Sequence, residues 1–360
     1  MAQTLDRPDQ PRPVTMRDIA EHLGLSVTTV ARSLKDGHKT GADTVARVRD
    51  AAERLGYARN LDGLRLRTGR TMTLLAVLGA SDDPETGDIS ASSLLLGVHR
   101  RLQGTDYSVQ AKLVDIGDPG IPALRKMIRT HAADGVILNY TEPNDARVRL
   151  LTTYGIPFVT LGRTDMGIVH PWFDLDHEDA AWQGTKALIS QGYRRIAMME
   201  SLPGYTFVQK RLSGHRRALA EAGISFDPAL VAHNLPGSGI VHRATQRLLQ
   251  EAKPDAFLCC NEVYLIGTVA GLRDICPTLV GKFGLFVRSG SNLPAYLAAP
   301  IAASYYSRTE VGWQLCDLLL QRINGVDAAR LQRLERTELR HALPLPRQHQ
   351  APAPPIGHVA

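Results

Sequence analysis

From residue 71 to about residue 345 the chain keeps one rhythm, a short apolar run followed by an amphipathic stretch. The runs are "TLLAVLG", "DGVILNY", "IPFVTLG", "RIAMME" and "DAFLCCN", and segments such as "SSLLLGVHRRLQG" and "DAAWQGTKALISQG" alternate with them. A strand that is apolar on both faces must be covered on both faces. Parallel neighbours also need a long crossover, usually helical. The alternation therefore predicts α/β structure built from βαβ units. At 360 residues the chain is too long for a single core, so two such lobes are expected.

The first seventy residues follow a different pattern. "TMRDIAEHLGLSVTTVARSL" reads as two short amphipathic helices separated by a glycine. Thr15 opens the first with Asp18 three residues on, a capping-box variant. Ile19, Ala20 and Leu23 form its apolar stripe, and Gly24 ends it with a left-handed turn. Ser26 caps the second helix, with Val30 and Leu34 inward. A third, "TVARVRDAAERLGY", sets Val45, Val48, Ala52 and Leu55 on one face before Gly56. Three short helices around one small core predict a helix-turn-helix headpiece.

Charge supports that reading. The net charge is +6, and residues 1–70 carry 13 Lys/Arg against 9 Asp/Glu, whereas the rest carries 29 against 27. The excess sits where a nucleic-acid contact would need it, although a solvated charged surface gives the same count. A helix-turn-helix places the start of its second helix in the major groove. There Val27 can meet a thymine methyl, Thr28 can donate or accept, and Arg32 can fork onto guanine. Thr29 and Thr44 offer hydroxyls, and Arg17 a charge, for phosphates. Next, "RNLDGLRLRTGRT" carries Arg59, Arg65, Arg67 and Arg70 against Asp62. So short a segment does not hold a helix in water but can form one on DNA; otherwise it is a basic linker.

The run from Val14 to about Gly69 resembles the headpiece of the lactose/galactose-repressor (LacI–GalR) family of bacterial transcription regulators. Its marks here are the threonine cap at Thr15, "S-x-x-T-V-x-R" over Ser26 to Arg32, and Leu55-Gly56-Tyr57. The resemblance continues, less specifically, to about residue 343. It implies that Val27, Thr28 and Arg32 read bases and that Leu66 wedges into the minor groove. Thr15, Ser26 and Asn60 join the DNA-contacting set. Two departures stand out: Arg59 replaces the usual proline after the "G-Y" pair, and Gly63 replaces a hinge alanine. Both predict a looser unbound hinge.

For the remainder the resemblance implies two Rossmann-like lobes of periplasmic-binding-protein type, joined by three crossovers, with an effector in the cleft. The expected boundaries are a tail over 1–13, the headpiece over 14–58 and a hinge over 59–70. Lobe 1 takes about 71–172 plus 302–335, lobe 2 about 173–301 plus 336–345, and 346–360 form a second tail. Ligands of open parallel sheets bind beyond the carboxyl ends of the strands, which directs attention to Arg163, Arg211, Asn261 and Arg288. "R-L-S-G-H" resembles the family's "R-L-x-G-F", whose arginine clamps the effector, and the Asn261-Glu262 pair resembles its "N-D". Asp176 matches an acid expected to orient Arg211. Arg211 as a plain salt bridge, Asn261 as a helix cap, and His170 and Trp172 as packing are the competing readings.

"KFGLFVRSGSN" holds no acid between Lys282 and Asn292, where the family has aspartates for sugar hydroxyls, and an aromatic expected near residue 235 is missing. An arginine-rich cleft without that acid suits a sugar acid or phosphate. A neutral sugar fits equally if Asp82, Asp83 or Glu85 lies nearby. The expected function is a DNA-binding regulator, a repressor gated by a sugar or sugar derivative. It acts as a homodimer on a near-palindromic operator in the cytoplasm, with no metal or cofactor. The alternatives are a response to a non-sugar anion, or a solute-binding protein without a DNA role. No P-loop, G-x-S-x-G or HExxH points to catalysis. The start lacks a signal-peptide core, no run approaches the ~18 apolar residues of a membrane span, and Cys259, Cys260, Cys276 and Cys316 show no metal-type spacing.

Overall fold

A computed structural model of the chain describes residues 12, 14–35, 40–57, 65, 68–81, 89–233, 235, 237–275, 281–297 and 301–340. Both expected tails lie outside the described residues except at Arg12, as does most of the hinge. The chain divides into two units, residues 1–69 and 70–360.

The first unit holds helices α1 (Met16–Leu23), α2 (Val27–Lys35) and α3 (Ala42–Leu55). Thr15 and Asp18 close the capping box reciprocally: the Thr15 amide donates to the Asp18 carboxylate at 2.7 Å, and the Asp18 amide to Thr15 Oγ1 at 3.4 Å. Gly24 takes φ 66°, a left-handed turn that a side chain would strain. Ser26 Oγ accepts from the Thr29 amide at 3.1 Å, the expected cap of α2. Ile19, Val30, Val48 and Ala51 are fully enclosed. α3 starts at Ala42, slightly earlier than its apolar pattern indicated, and Ala51 fills the centre while Val45 is half-buried.

The second unit contains two six-stranded sheets. Its strands are β1 (Thr73–Ala80), β2 (Ser108–Asp115), β3 (Gly135–Leu138), β4 (Phe158–Leu161), β5 (Trp172–Leu175), β6 (Ile196–Met199), β7 (Val231–Ala232), β8 (Ala256–Cys259), β9 (Gly284–Ser289), β10 (Ile301–Tyr305), β11 (Gln332–Glu335) and β12 (Glu338–Arg340). The first sheet runs β11-β5-β4-β3-β1-β2 and the second β12-β10-β9-β8-β6-β7. All pairings are parallel except β10 with β12. The covering helices are α4 (Ile89–Leu102), α5 (Ile121–Thr130), α6 (Ala146–Thr153), α7 (His177–Ser190), α8 (Thr206–Glu221), α9 (Ser238–Glu251), α10 (Glu262–Ile275) and α11 (Arg308–Ile323).

The lobe boundaries differ from those expected. β5 pairs with β4 and β11 and so completes lobe 1, and β10 pairs with β9 and so belongs to lobe 2. The chain therefore crosses between lobes at residue 176, at 306–307 and at 336–337. A short apolar run beside a crossover carries no mark of its sheet, because its partners are far away in sequence.

In each lobe two helices meet almost backbone to backbone. A Cβ on Gly97 of α4 would lie 1.9 Å from the Thr309 carbonyl oxygen of α11, and one on Gly214 of α8 2.0 Å from that of Glu178 in α7. Beside this second crossing His215 is 1% exposed, its Nδ1 2.9 Å from Thr185 Oγ1. Burial, with the neighbouring Arg216 cation, pushes its pKa from 6.5 down to about 4. The unfolded chain therefore takes up the proton first: stability is full above pH 6.5 and drains away between there and pH 4, by about 3 kcal/mol for this group. His215→Gln should show a smaller fall in thermal midpoint between pH 7 and pH 5 than the parent, and an equal fall would clear His215 of that role.

Candidate functional site

The headpiece side chains expected to meet DNA are accessible to differing degrees. Val27 is 43% exposed, and Thr28, Arg32 and Arg17 are exposed, while Thr29 and Thr44 are half-buried. The hydroxyls of Thr15 and Ser26 are engaged locally, with Asp18 and Thr29, so only their remaining lone pairs face outward. Asn60 and Leu66 lie outside the described residues, together with Arg59, Asp62, Gly63 and Arg67. Arg70 is not a free strap arginine: its guanidinium donates to Asn324 Oδ1 at 3.0 Å and the Ile323 carbonyl at 3.1 Å, at the end of α11.

A cavity of about 450 Å³ lies beyond the carboxyl edges of both sheets. Ala80, Asp115, Asn139, Gly162 and Leu175 reach it from the ends of β1 to β5, and Ser201, Cys260 and Arg288 from β6, β8 and β9. This is where open parallel sheets place their ligands. Phe207, Tyr264 and Tyr306 supply aromatic walls.

Arg211, in the second turn of α8, is 4% exposed and lines the cavity. Its carboxylate is Glu200, fully buried after β6: Nε donates to Oε2 at 2.7 Å and Nη2 to Oε1 at 2.5 Å. The expected orienter, Asp176, instead caps α7, accepting from the Asp179 amide at 2.9 Å. An aspartate that ends the strand just before a helix is geometrically committed to that cap. Burial alone would ease the proton off Arg211, but the Glu200 charge outweighs it and holds the cation.

Arg163 also departs from expectation. Its Nε donates to Asp174 Oδ2 at 2.8 Å, its guanidinium lies 5.4 Å from the Trp172 ring, and it is not among the cavity-lining residues. Arg288 does line the cavity, 4.7 Å over Tyr306. Asn261 caps α10, accepting from the Tyr264 amide at 3.1 Å, and also borders the cavity. His170 is turned to Thr160 and the Ile168 carbonyl, and Trp172 packs beside Arg163. Asp82, Asp83 and Glu85 lie outside the described residues.

Sequence reasoning missed Glu200, His177 and Arg308 of the side chains around this site, and named Glu262 without a role of its own. Glu200 ends an apolar run and could have been found by the same strand-end rule that singled out Asn261. His177 opens α7 at a crossover, 3.5 Å from Asp174, and its Nδ1 has no hydrogen-bond partner among the described residues. Burial, reinforced by Arg288 and Arg211, keeps that imidazole neutral. Glu262 and Arg308 form a buried ion pair whose members are too far apart in sequence to be paired by motif. Burial would raise the Glu262 carboxyl, yet the Arg308 charge overrides it and brings it down to about 2. Of the three cavity-lining arginines, Arg211 and Arg308 are each paired with a buried carboxylate, Glu200 and Glu262, whereas Arg288 has none among the described residues; Asp115 also borders the cavity.

Residues 72–342 match the family described as periplasmic binding proteins and sugar binding domain of LacI family, and residues 15–60 match bacterial regulatory proteins, lacI family. The chain belongs to the LacI family. It is similar to the HTH-type transcriptional regulator RafR of Escherichia coli, 30% identical over 89% of this chain and 95% of that one. AglR of Rhizobium meliloti is 32% identical over 73% and 74%. Two solved structures share the fold at low identity. The regulator CelR–cellobiose complex has a TM-score of 0.67 at 22% identity, over 91% of this chain and 98% of that one. The Lac repressor dimer bound to operator and the anti-inducer ONPF has 0.68 at 20%, over 93% and 100%. This LacI-family chain is thus a helix-turn-helix transcriptional regulator joined to a sugar-binding-type domain. Among the described residues no group of three or more His, Cys, Asp or Glu is placed to hold a metal, and no helix is long and apolar enough to cross a membrane.

Proposed function

We propose that the protein is a cytoplasmic repressor that binds a near-palindromic operator as a homodimer and is gated by a small neutral sugar in the interlobe cavity. It acts by binding, not catalysis. The observation that carries the effector reading is the prior pairing of most of the cavity's arginines with buried carboxylates. Two of its arginines are already neutralised by Glu200 and Glu262, so they act as fixed hydrogen-bond donors, not as a site hungry for an anion. Hydroxyls, which both donate and accept, suit such donors set beside Asp115, Asn139 and Asn261, while the aromatic walls suit the apolar face of a sugar ring. The cellobiose held by the similar CelR structure supports the same class. A sugar acid is the second reading, favoured by Arg288, for which no carboxylate partner is found among the described residues.

In this scheme residues 14–58 read the duplex and 59–70 order against it. Val27, Thr28 and Arg32 meet base edges, and Arg17, Thr29 and Thr44 the phosphates. Phosphate contacts make affinity fall steeply with salt. Effector and operator are coupled reciprocally, by about 1–3 kcal/mol. The test is to select duplexes from a random pool and then titrate the selected operator with cellobiose, other neutral oligosaccharides, glucuronate and glucose 6-phosphate. An inverted repeat and a neutral sugar that changes operator affinity by about 5–150-fold are expected. Insensitivity to the whole panel removes the gating, and retention of the same duplex by residues 71–360 alone removes the headpiece's role. Arg32→Ala should lose about 1–3 kcal/mol of discrimination at one base pair per half-site; unchanged discrimination in competition assays takes Arg32 off the base-reading face.

A further inference from the structure

The second crossover brings three charged side chains from the two lobes around one tyrosine. Arg308 is the first residue of α11, which packs on α4 in lobe 1, and Glu262 the first of α10, in lobe 2. Their side chains form an ion pair with exposures of 7% and 3%, so the tie between lobes is shielded from water. Lobe 2 grips its end of the pair firmly. Glu262 Oε1 accepts from Ser289 Oγ, the Gly290 amide and Ser291 Oγ, each at 2.9 Å. Gly290 lets Arg308 lie flush on that loop, because a Cβ there would stand 2.6 Å from Arg308 Cγ and Cζ. Tyr306, in the crossover itself, sits beneath both Arg288 of lobe 2 at 4.7 Å and Arg308 at 5.7 Å. All four residues line the cavity.

Arg308 is incompletely used. Its Nη2 donates to Glu262, whereas Nε and Nη1 are buried without a hydrogen-bond partner. Across the cavity wall Arg211 Nη1 and Arg288 Nε are in the same condition. Unmatched buried donors are costly, and a set of them around one cavity marks where acceptor atoms belong.

We propose that Arg308 is an effector-binding residue and an interlobe clasp in one: Glu262 holds it across the crossover, and a ligand acceptor oxygen in the cavity completes its hydrogen bonding. This rests on the reading of the cavity as the effector site. The ligand group it takes is a hydroxyl, ring or carboxylate oxygen, presented to lobe 1 while the same molecule meets Arg211 on lobe 2. Binding then adds a second bridge to the one already made by Glu262. The clasp limits how far the lobes open when the cavity is empty, and the effector tightens it.

The experiment compares the full chain with Arg308→Met, Glu262→Gln and Arg308→Lys, by solution X-ray scattering without ligand and by operator titration with the sugar panel above. Arg308→Met should widen the unliganded particle, with a larger radius of gyration than the parent at equal oligomeric state. It should also lose at least tenfold in sensitivity to whichever panel member the parent answers. Glu262→Gln should move both readouts in the same direction and carries the test if the methionine variant does not fold; Arg308→Lys, which keeps the charge, should restore the parental scattering. A methionine variant that is merely less heat-stable, with parental scattering and parental sugar sensitivity, overturns the proposal. If the parent answers no sugar, the gating reading has failed, and the scattering still decides whether the clasp exists.

Discussion

Glu200→Ala is expected to cost about 3–5 kcal/mol of folding stability, the penalty for leaving a buried guanidinium without its carboxylate. Glu200 is fully enclosed, it holds Arg211 through two hydrogen bonds, and it also accepts from the Ser201 amide at 2.8 Å. Water cannot replace it without reopening the core behind the cavity. In a domain of this size the thermal midpoint should fall by roughly 10 °C, and effector response should vanish because Arg211 is no longer held in place. Joint replacement, Glu200→Leu with Arg211→Met, should recover much of the stability and none of the response, since an apolar pair leaves no orphan charge. Calorimetric scans of the three variants check this. A double variant as unstable as Glu200→Ala would mean that the pair contributes packing more than charge.

Gly97→Leu should be still more damaging. The Gly97 Cα faces the Thr309 carbonyl at a distance that leaves no room for one carbon, and Gly312 faces the Leu94 carbonyl in the same way, a Cβ there standing 2.0 Å from the oxygen. Ordinary overpacking costs about 1–3 kcal/mol when side chains can shift. Here the obstacle is backbone, so α4 and α11 must separate along their whole contact. Loss of folded lobe 1 is expected, read as absence of soluble protein or of a cooperative thermal transition. Gly97→Ala should already lie beyond the upper end of the overpacking range. A cooperative melt near the parental midpoint for Gly97→Leu would show that the helix pair can slide apart at little cost.

What could be read from residues alone follows the reach of each interaction. The caps at Thr15 and Ser26 and the stop at Gly24 were legible because they join atoms three or four positions apart. The inner strands β1, β3, β4, β6 and β8 were legible because burial on both faces leaves an uninterrupted apolar run. β2, an edge strand exposed along most of its length, left no such trace. In the site, strand-end logic located Arg288 and Asn261, and the "R-L-S-G-H" resemblance located Arg211. Strand-end logic also put Arg163 in the cavity, and the resemblance put Asp176 beside Arg211, since sequence gives the direction of neither side chain. Asp174 captures the first, and the helix cap takes the second. The Arg308–Glu262 tie joins residues 46 positions apart, and nothing local announces it.

The edges of the two sheets have a consequence for how the second unit is completed. β11 and β12, separated by only two residues, finish lobe 1 and lobe 2 respectively. Neither sheet has its full set of strands until the segment up to residue 340 is available. The headpiece core closes on its own local contacts, whereas both sheets of the second unit take an edge strand from one nine-residue segment, 332–340.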